Sequence, residues 1–364
     1  MKRRHSAIVA LGVGLALSLA ACGDDDGDSG SDGGGDNGGS DAGKVGVILP
    51  DTESSVRWES ADRPALEAAF EEAGVEADIQ NAENDAEKMV QIADSMIADG
   101  VTVLAIVNLD SASGAAIQEK AASQGVATID YDRLTLGGSA EYYVSFDNTV
   151  VGELQGQGLA DCLSDKPANI VYLNGAPTDN NATLFAEGAH SVLDGISQYS
   201  KVGEQAVPEW DNDEAAVIFQ QLYTAADGDV DGVLAANDGL GGAVISILEG
   251  NGQAGKVPVT GQDATVEGLQ NILSGRQCMT VYKSATQEAN ALAEVAIALA
   301  TGEEAETTGT VEDTEGGRDV PSILLTPQAI TIDNVQDVID DGGQTAEDVC
   351  AGEYAQLCEE NGVG

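Results

Sequence analysis

Short β-branched runs alternate with amphipathic helical stretches along most of the chain from Lys44 onward, and this alternation constrains the fold more than any other feature. The strand-like runs are Val45–Leu49, Val101–Val107, Val126–Asp130, Ile170–Leu173, Val230–Ala235, Val257–Thr260 and Met279–Tyr282. Helical stretches fall between them at Ala65–Ala73, Glu87–Asp99, Ala112–Gln124, Glu214–Ala226 and Gln287–Ala300. Apolar strands separated by helices predict parallel sheets covered on both faces. Two such series predict an α/β fold of two doubly wound lobes. The roughly 320 residues beyond Lys44 also exceed what one core usually holds. In such sheets ligands bind beyond the carboxyl ends of the strands, where strand order switches.

The chain opens on Lys2, Arg3 and Arg4, followed by an apolar stretch from Ala7 to Leu19. Charge and length predict a signal peptide over residues 1–21, its apolar core too short to span a bilayer comfortably. Leu19-Ala20-Ala21-Cys22 resembles the bacterial lipobox, in which the thiol receives a diacylglycerol and the cysteine becomes the new N-terminus. An ordinary secretory cleavage site is the alternative. The expectation is a lipid anchor at Cys22, extracytoplasmic, on the outer face of the cell membrane. Residues 22–43 hold this anchor and an acidic linker, almost wholly Gly, Asp and Ser, which cannot bury surface. As a flexible coil it spans about 25 Å.

Removing residues 1–21 takes three of the 15 basic residues and none of the 63 acidic ones, so the remaining chain is more negative than the −48 of the whole. Such a surface repels nucleic acid and anionic lipid. Besides Cys22 the cysteines are Cys162, Cys278, Cys350 and Cys358. An even number in an exported chain favours disulfides. Of three pairings, Cys350–Cys358, close in sequence, with Cys162–Cys278 is preferred. No zinc or other metal site is expected, because no CxxC spacing occurs and His190 is the sole histidine beyond the leader.

Polar residues cluster just past the strand-like runs. Val45–Leu49 leads through Pro50 and Asp51 to Arg57 and Trp58, and Val126–Asp130 leads into Tyr131, Asp132 and Arg133. Ile170–Leu173 is followed by Asp179, Asn180 and Asn181, Val230–Ala235 by Asn237 and Asp238, Val257–Thr260 by Gln262 and Asp263, and Met279–Tyr282 by Lys283. The only two tryptophans, Trp58 and Trp210, lie in loop-like contexts. This set suits a monosaccharide. Its hydroxyls donate and accept, and Asp, Asn, Arg and Lys answer them with charge-assisted or bidentate hydrogen bonds. Its C–H faces stack on aromatic rings. Singly, each residue has a plainer reading: Asn180 and Asp238 as helix caps, Trp210 as packing, Lys283 as a solvated charge. Their recurrence at strand ends points to a site.

The chain resembles the sugar-binding family that includes the periplasmic xylose-binding and multiple-sugar-binding proteins, which serve ABC transporters. The resemblance covers essentially all of residues 44–345. It rests on Arg57-Trp58, Tyr131-Asp132-Arg133, Ser145-Phe146-Asp147-Asn148, Asp179-Asn180-Asn181, Asn237-Asp238, Gly261-Gln262-Asp263, Met279-Thr280-Val281-Tyr282-Lys283 and Asp319-Val320-Pro321-Ser322, in order. It implies a type I binding-protein fold: two lobes, three hinge crossings and a sugar held between them. Arg57, Asp132 and Arg133 would bind hydroxyls from the first lobe, and Asn181, Asn237, Asp263 and Lys283 from the second lobe and hinge. Trp58 and Trp210 would sandwich the ring. Lys283 is followed by Ser284 where the xylose binder has proline, and Arg57 to Arg63 is one residue longer. Glucose, galactose and arabinose therefore stand beside xylose as candidate ligands.

The first lobe is expected at 44–147 plus 285–325, the second at 148–284 plus 326–364. The expected function is capture of a monosaccharide and delivery to an ABC transporter permease, by a monomer without cofactor. The alternatives are a sensory module presenting sugar to a membrane receptor and a two-carboxylate glycosidase. No nucleophile–base constellation supports an enzyme, and His190 sits inside a helical stretch without a Ser/Asp partner.

Overall fold

The computed structural model describes residues 43–164 and 166–364, so the leader, Cys22 and the linker through residue 42 lie outside the described residues. The strands are β1 (Lys44–Leu49), β2 (Ala77–Asn81), β3 (Val101–Ile106), β4 (Ala127–Tyr131), β5 (Tyr142–Phe146), β6 (Ala168–Asn174), β7 (Tyr199–Ala206), β8 (Gly232–Ala235), β9 (Thr280–Tyr282), β10 (Gly309–Asp313), β11 (Arg318–Leu325) and β12 (Gln328–Ile330). One sheet runs β10-β11-β5-β4-β3-β1-β2, parallel except for the β10–β11 hairpin at its edge. A second, parallel sheet runs β7-β6-β8, and β9 pairs antiparallel with β12.

Alternation along the strands explains why both faces of the first sheet are covered. Val45, Val47 and Leu49 pack with Val103 and Ala105 against helices Arg63–Ala73 and Ala285–Thr301. Ile48, Leu104 and Ile106 point the other way, onto Met89, Ile92 and Met96 of helix Ala86–Ala98 and Ile117 of helix Ser111–Ser123. The second sheet repeats the plan: Val171, Leu173 and Val233 face helices Asn212–Ala225 and Asp238–Gly250, and Ile170, Tyr172 and Leu234 face helices Asn148–Leu163 and Asn180–Leu193. The chain passes between the sheets three times: after β5, after β9 and after β11.

Six strands, β2, β5, β7, β10, β11 and β12, were not expected from the apolar runs. Conversely, Val257–Thr260 is no full strand. It makes a single bridge from Val259 to Val233, because Pro258 has no N–H to extend a ladder. Cys162 is bonded to Cys278 and Cys350 to Cys358. Among the described residues no group of His, Cys, Asp and Glu forms a metal cluster, and no helix is long and apolar enough to cross a membrane.

Candidate functional site

The strand ends converge on one small, tightly walled cavity between the two sheets. Arg57, Trp58, Asp132, Arg133, Asn181, Trp210, Asn237, Asp263 and Lys283 all line it, and Ser54, Ser55, Asp179, Phe185 and Gln262 complete the wall.

On the first-sheet side, Asp51 shapes the loop after β1 by accepting from the backbone N–H of Ser54 at 2.6 Å and from its hydroxyl at 2.8 Å. Trp58–Asp62 then forms a π-turn, with the Arg63 N–H reaching back five residues to the Trp58 carbonyl. Such turns are rare and frequent at functional sites. This one leaves Arg57 directed at two buried carboxylates behind the cavity. Its Nε and Nη2 donate to Asp62 at 2.7 and 2.6 Å, and Nη2 also reaches Glu288 at 2.7 Å. Its Nη1 donates to Asp132 Oδ2 at 3.2 Å, and the guanidinium lies 4.6 Å from the Trp58 ring centre.

Asp132 is the junction between the halves. It takes a left-handed backbone (φ 59°), uncommon without glycine. Tyr143 Oη, Ser145 Oγ and Asn181 Nδ2 donate to its carbonyl at 2.8–2.9 Å and hold that conformation. Its carboxylate accepts from Arg57, from Asn181 at 3.1 Å and from Lys283 at 3.4 Å. Burial alone would push this carboxyl up, but Lys283, Arg57 and Arg133 outweigh it and hold it below its ordinary value.

Opposite, Asp179 accepts from the Asn181 N–H at 2.9 Å and Trp210 Nε1 at 3.2 Å. Burial pushes its carboxyl up against the pull of Arg133. Arg133 Nε is 3.1 Å from Asp179 Oδ2, yet out of line for a hydrogen bond, and it, Gln262 Oε1 and Asp263 Oδ1 have no hydrogen-bond partner within the protein. Asn237 Nδ2 donates to the Ser54 carbonyl at 2.9 Å, and Ser55 Oγ donates to Asp263 at 2.7 Å, so two further bonds join the halves. Trp210 and Asp263 also have positive φ, 58° and 92°, and strain of this kind clusters at binding sites. Six charged side chains line the cavity, three cations (Arg57, Arg133, Lys283) and three carboxylates (Asp132, Asp179, Asp263).

Several expectations change. The helix caps are Asp179 and Asn237, not Asn180 and Asp238, because the cap must precede the first helical residue. Both therefore cap a helix and line the cavity. Asp238 is buried beneath it, accepting from Thr265, Gln277 and Thr280, and burial pushes its carboxyl up to about 7. Four residues were missed. Asp62 and Glu288 looked like ordinary helix charges. Phe185, 6.4 Å from Trp210 centre to centre, was one more apolar residue on a helix face. Gln155 donates to the Ala236 and Gly261 carbonyls at 2.9 and 3.0 Å, tying two strand ends together. A glycine supplied a signal that went unread: a Cβ on Gly175 would fall 2.1 Å from the Trp210 ring, so the ring's seat exists only with glycine there.

Residues 45–304 match the periplasmic binding protein domain. The chain is 36% identical to the D-xylose-binding periplasmic protein of Escherichia coli over 303 residues, 82% of this chain and 90% of that one. It is 34% identical to the multiple sugar-binding periplasmic receptor ChvE of Rhizobium radiobacter over 321 residues, covering 83% and 90%. Among solved structures it is similar to a carbohydrate transporter solute-binding protein from Chloroflexus aurantiacus in complex with D-glucose, at TM-score 0.77 and 30% identity, covering 84% of this chain and 97% of that one. These relatives are transport proteins of a non-enzymatic family. Two α/β lobes, three crossings and a polar cavity between them thus belong to a type I fold, and the chain is a member of the periplasmic binding protein family, alongside its D-xylose-binding and multiple sugar-binding members.

Proposed function

We propose that this chain captures a neutral monosaccharide between its lobes and delivers it to an ABC transporter. The observation that carries this is the cavity's composition: three cations and three carboxylates in balance, with two indole rings beside them. A balanced, largely cross-paired set favours a ligand without net charge, and Arg133 Nε, Gln262 Oε1 and Asp263 Oδ1, which make no hydrogen bond within the protein, suit hydroxyls that both donate and accept. Trp58 and Trp210 provide apolar faces for the C–H surfaces of the ring. The lobes, 44–147 plus 285–325 and 148–284 plus 326–364, close on the sugar, and contacts to both favour the closed form by differential affinity. A thermal-shift screen tests the reading. Neutral aldoses such as xylose, glucose, galactose or arabinose are expected to raise the melting temperature, while glucuronate and glucosamine, which unbalance the cavity, are not. A flat response to every neutral aldose at millimolar concentration counts against it.

The same reading places the chain outside the cytoplasmic membrane as a monomer, tethered by lipid on Cys22 through the Gly23–Gly43 linker. The mass of protein extracted from membranes is expected to show loss of residues 1–21 and a diacylglyceryl addition at Cys22. An unmodified Cys22 would refute the tether and leave the sugar site untouched.

A further inference from the structure

The backbone that carries Asp263 into the cavity is braced by a residue 80 positions further along the chain. Asp263 and Ala264 both take left-handed backbone, φ 92° and 48°, and two such residues in succession, neither of them glycine, are strained. Asp263 lines the cavity: Ser55 Oγ donates to its Oδ2, and its Oδ1 makes no hydrogen bond within the protein. Bonds from inside the lobe pin the N–H groups of this turn. Asp263 donates to the Val281 carbonyl at 2.8 Å, Ala264 to Thr280 Oγ1 at 3.3 Å and Thr265 to Asp238 Oδ2 at 2.8 Å. The carbonyl of Ala264 is met from the C-terminal segment, where Gln344 Nε2 donates to it at 3.2 Å.

Local chemistry fixes Gln344 in turn. Helix Val335–Asp340 ends at Asp341, and Gly342 follows with φ 81°. The Gly342 N–H donates to the Ile339 carbonyl at 3.0 Å and the Gly343 N–H to the Val338 carbonyl at 2.9 Å. That pair of bonds is a Schellman ending, which reverses the chain at a left-handed glycine. The turn rests on Tyr282, whose Oη donates to Asp341 Oδ2 at 2.8 Å, and a Cβ on Gly343 would collide with that same oxygen. Val335, Val338 and Val349 pack with Ala264, Leu269 and Tyr282 in one apolar cluster. The chain neighbours of two cavity charges, Asp263 and Lys283, therefore stand in a small core built by the C-terminal segment. This segment lies outside residues 45–304, the stretch that matches the family's domain.

We propose that Gln344 is a positioning residue for sugar capture, fixing through its bond to the Ala264 carbonyl the Asp263 carboxylate that meets a sugar hydroxyl. The idea rests on the sugar-capture reading and adds to it a residue that touches no ligand. The role needs a donor. Glutamate has the shape of glutamine but only acceptors to set against that carbonyl, and Gln344 is half-buried, so a change there leaves the core intact.

Gln344→Glu and Gln344→Ala test the role. Titration calorimetry with D-xylose and D-glucose is expected to show affinity about tenfold weaker in both variants, the worth of about one hydrogen bond. The loss is expected to fall on one hydroxyl. A site built to bond a hydroxyl rejects the analogue lacking it, so the unaltered protein should discriminate against monodeoxy analogues of its sugar. Gln344→Glu is expected to lose that discrimination at a single position, the same one at which Asp263→Asn loses it. Affinity within twofold of the unaltered protein in Gln344→Glu overturns the proposal, and so does a loss spread evenly over every analogue, which is what slackened packing gives. Hydrogen exchange without sugar separates the two ideas. The amides of Asp263, Ala264 and Thr265 are expected to exchange faster in both variants, while the sheet of the second lobe keeps its rates. Equal exchange overturns the proposal whether or not a sugar binds. Faster exchange there, in a protein that binds neither sugar, supports the brace and counts only against the sugar reading.

Discussion

Asp132→Ala is expected to abolish measurable sugar binding and to lower folding stability by about 3–5 kcal/mol, the usual range for removing one partner of a buried ion pair. Arg57 Nη1 and Lys283 Nζ both lean on this carboxylate from opposite halves, at 3.2 and 3.4 Å. Without it two buried cations face one another across the cleft. Asp132→Asn separates charge from shape. Asn tolerates a left-handed backbone as readily as Asp, so the turn should survive while the ion pairs do not. The Asn variant is expected to keep most of the fold and lose most of the affinity. Calorimetry and urea unfolding of the pair decide the matter, and an Ala variant binding sugar within tenfold of the parent would falsify the assignment.

Trp210→Ala should weaken sugar binding by at least about thirtyfold, the equivalent of the 2 kcal/mol lost when a central aromatic anchor is truncated, with the fold retained. The ring is tied by Nε1 to Asp179 and packs edge-on against Phe185, so its loss also frees a carboxylate that faces Arg133. Gly175→Ala approaches the same ring from behind. Its new methyl would lie 2.1 Å from the indole, closer than any real contact, and must displace it. The two variants are expected to lose affinity alike although Gly175 makes no polar contact with the site. Normal binding by both would show that the indole is packing alone.

What the sequence made legible follows the physics of burial. Strands β1, β3, β4, β6 and β8 are apolar runs buried on both faces, and periodicity finds such runs. The edge strands β2, β7 and β10 escaped because an edge carries no such signature, whereas β5 is an inner, buried strand that was missed for its polar Tyr-Tyr and Ser content. β7 reads Tyr-Ser-Lys-Val-Gly-Glu-Gln-Ala and has no buried residue, and β2 is half-buried throughout. The site followed the same division. Residues just past strand ends meet at one cavity because topology sends those ends to a crevice, and the family likeness supplied their order. Asp62 and Glu288 sit within helical segments, where a charge reads as solvent-facing until the tertiary fold covers it. Asp130 lies where the run Val126–Asp130 predicts. It belongs to β4 itself, and its carboxylate turns away from the cavity to Thr135 and Gln118.

The π-turn at Trp58–Asp62 separates two tasks that a regular helix would fuse. Helix Arg63–Ala73 must keep Leu66, Ala69 and Phe70 in the core, and an α-helical lead-in would tie the bearing of Arg57 and Trp58 to that packing at a fixed 100° per residue. A wider turn takes up one residue as slack. Insertions or deletions there would swing the guanidinium and the indole around the ligand while the buried face below stays in register. A one-residue change in length at this turn would thus reshape the cavity wall without disturbing the core, a kind of change ordinarily ruinous inside a helix.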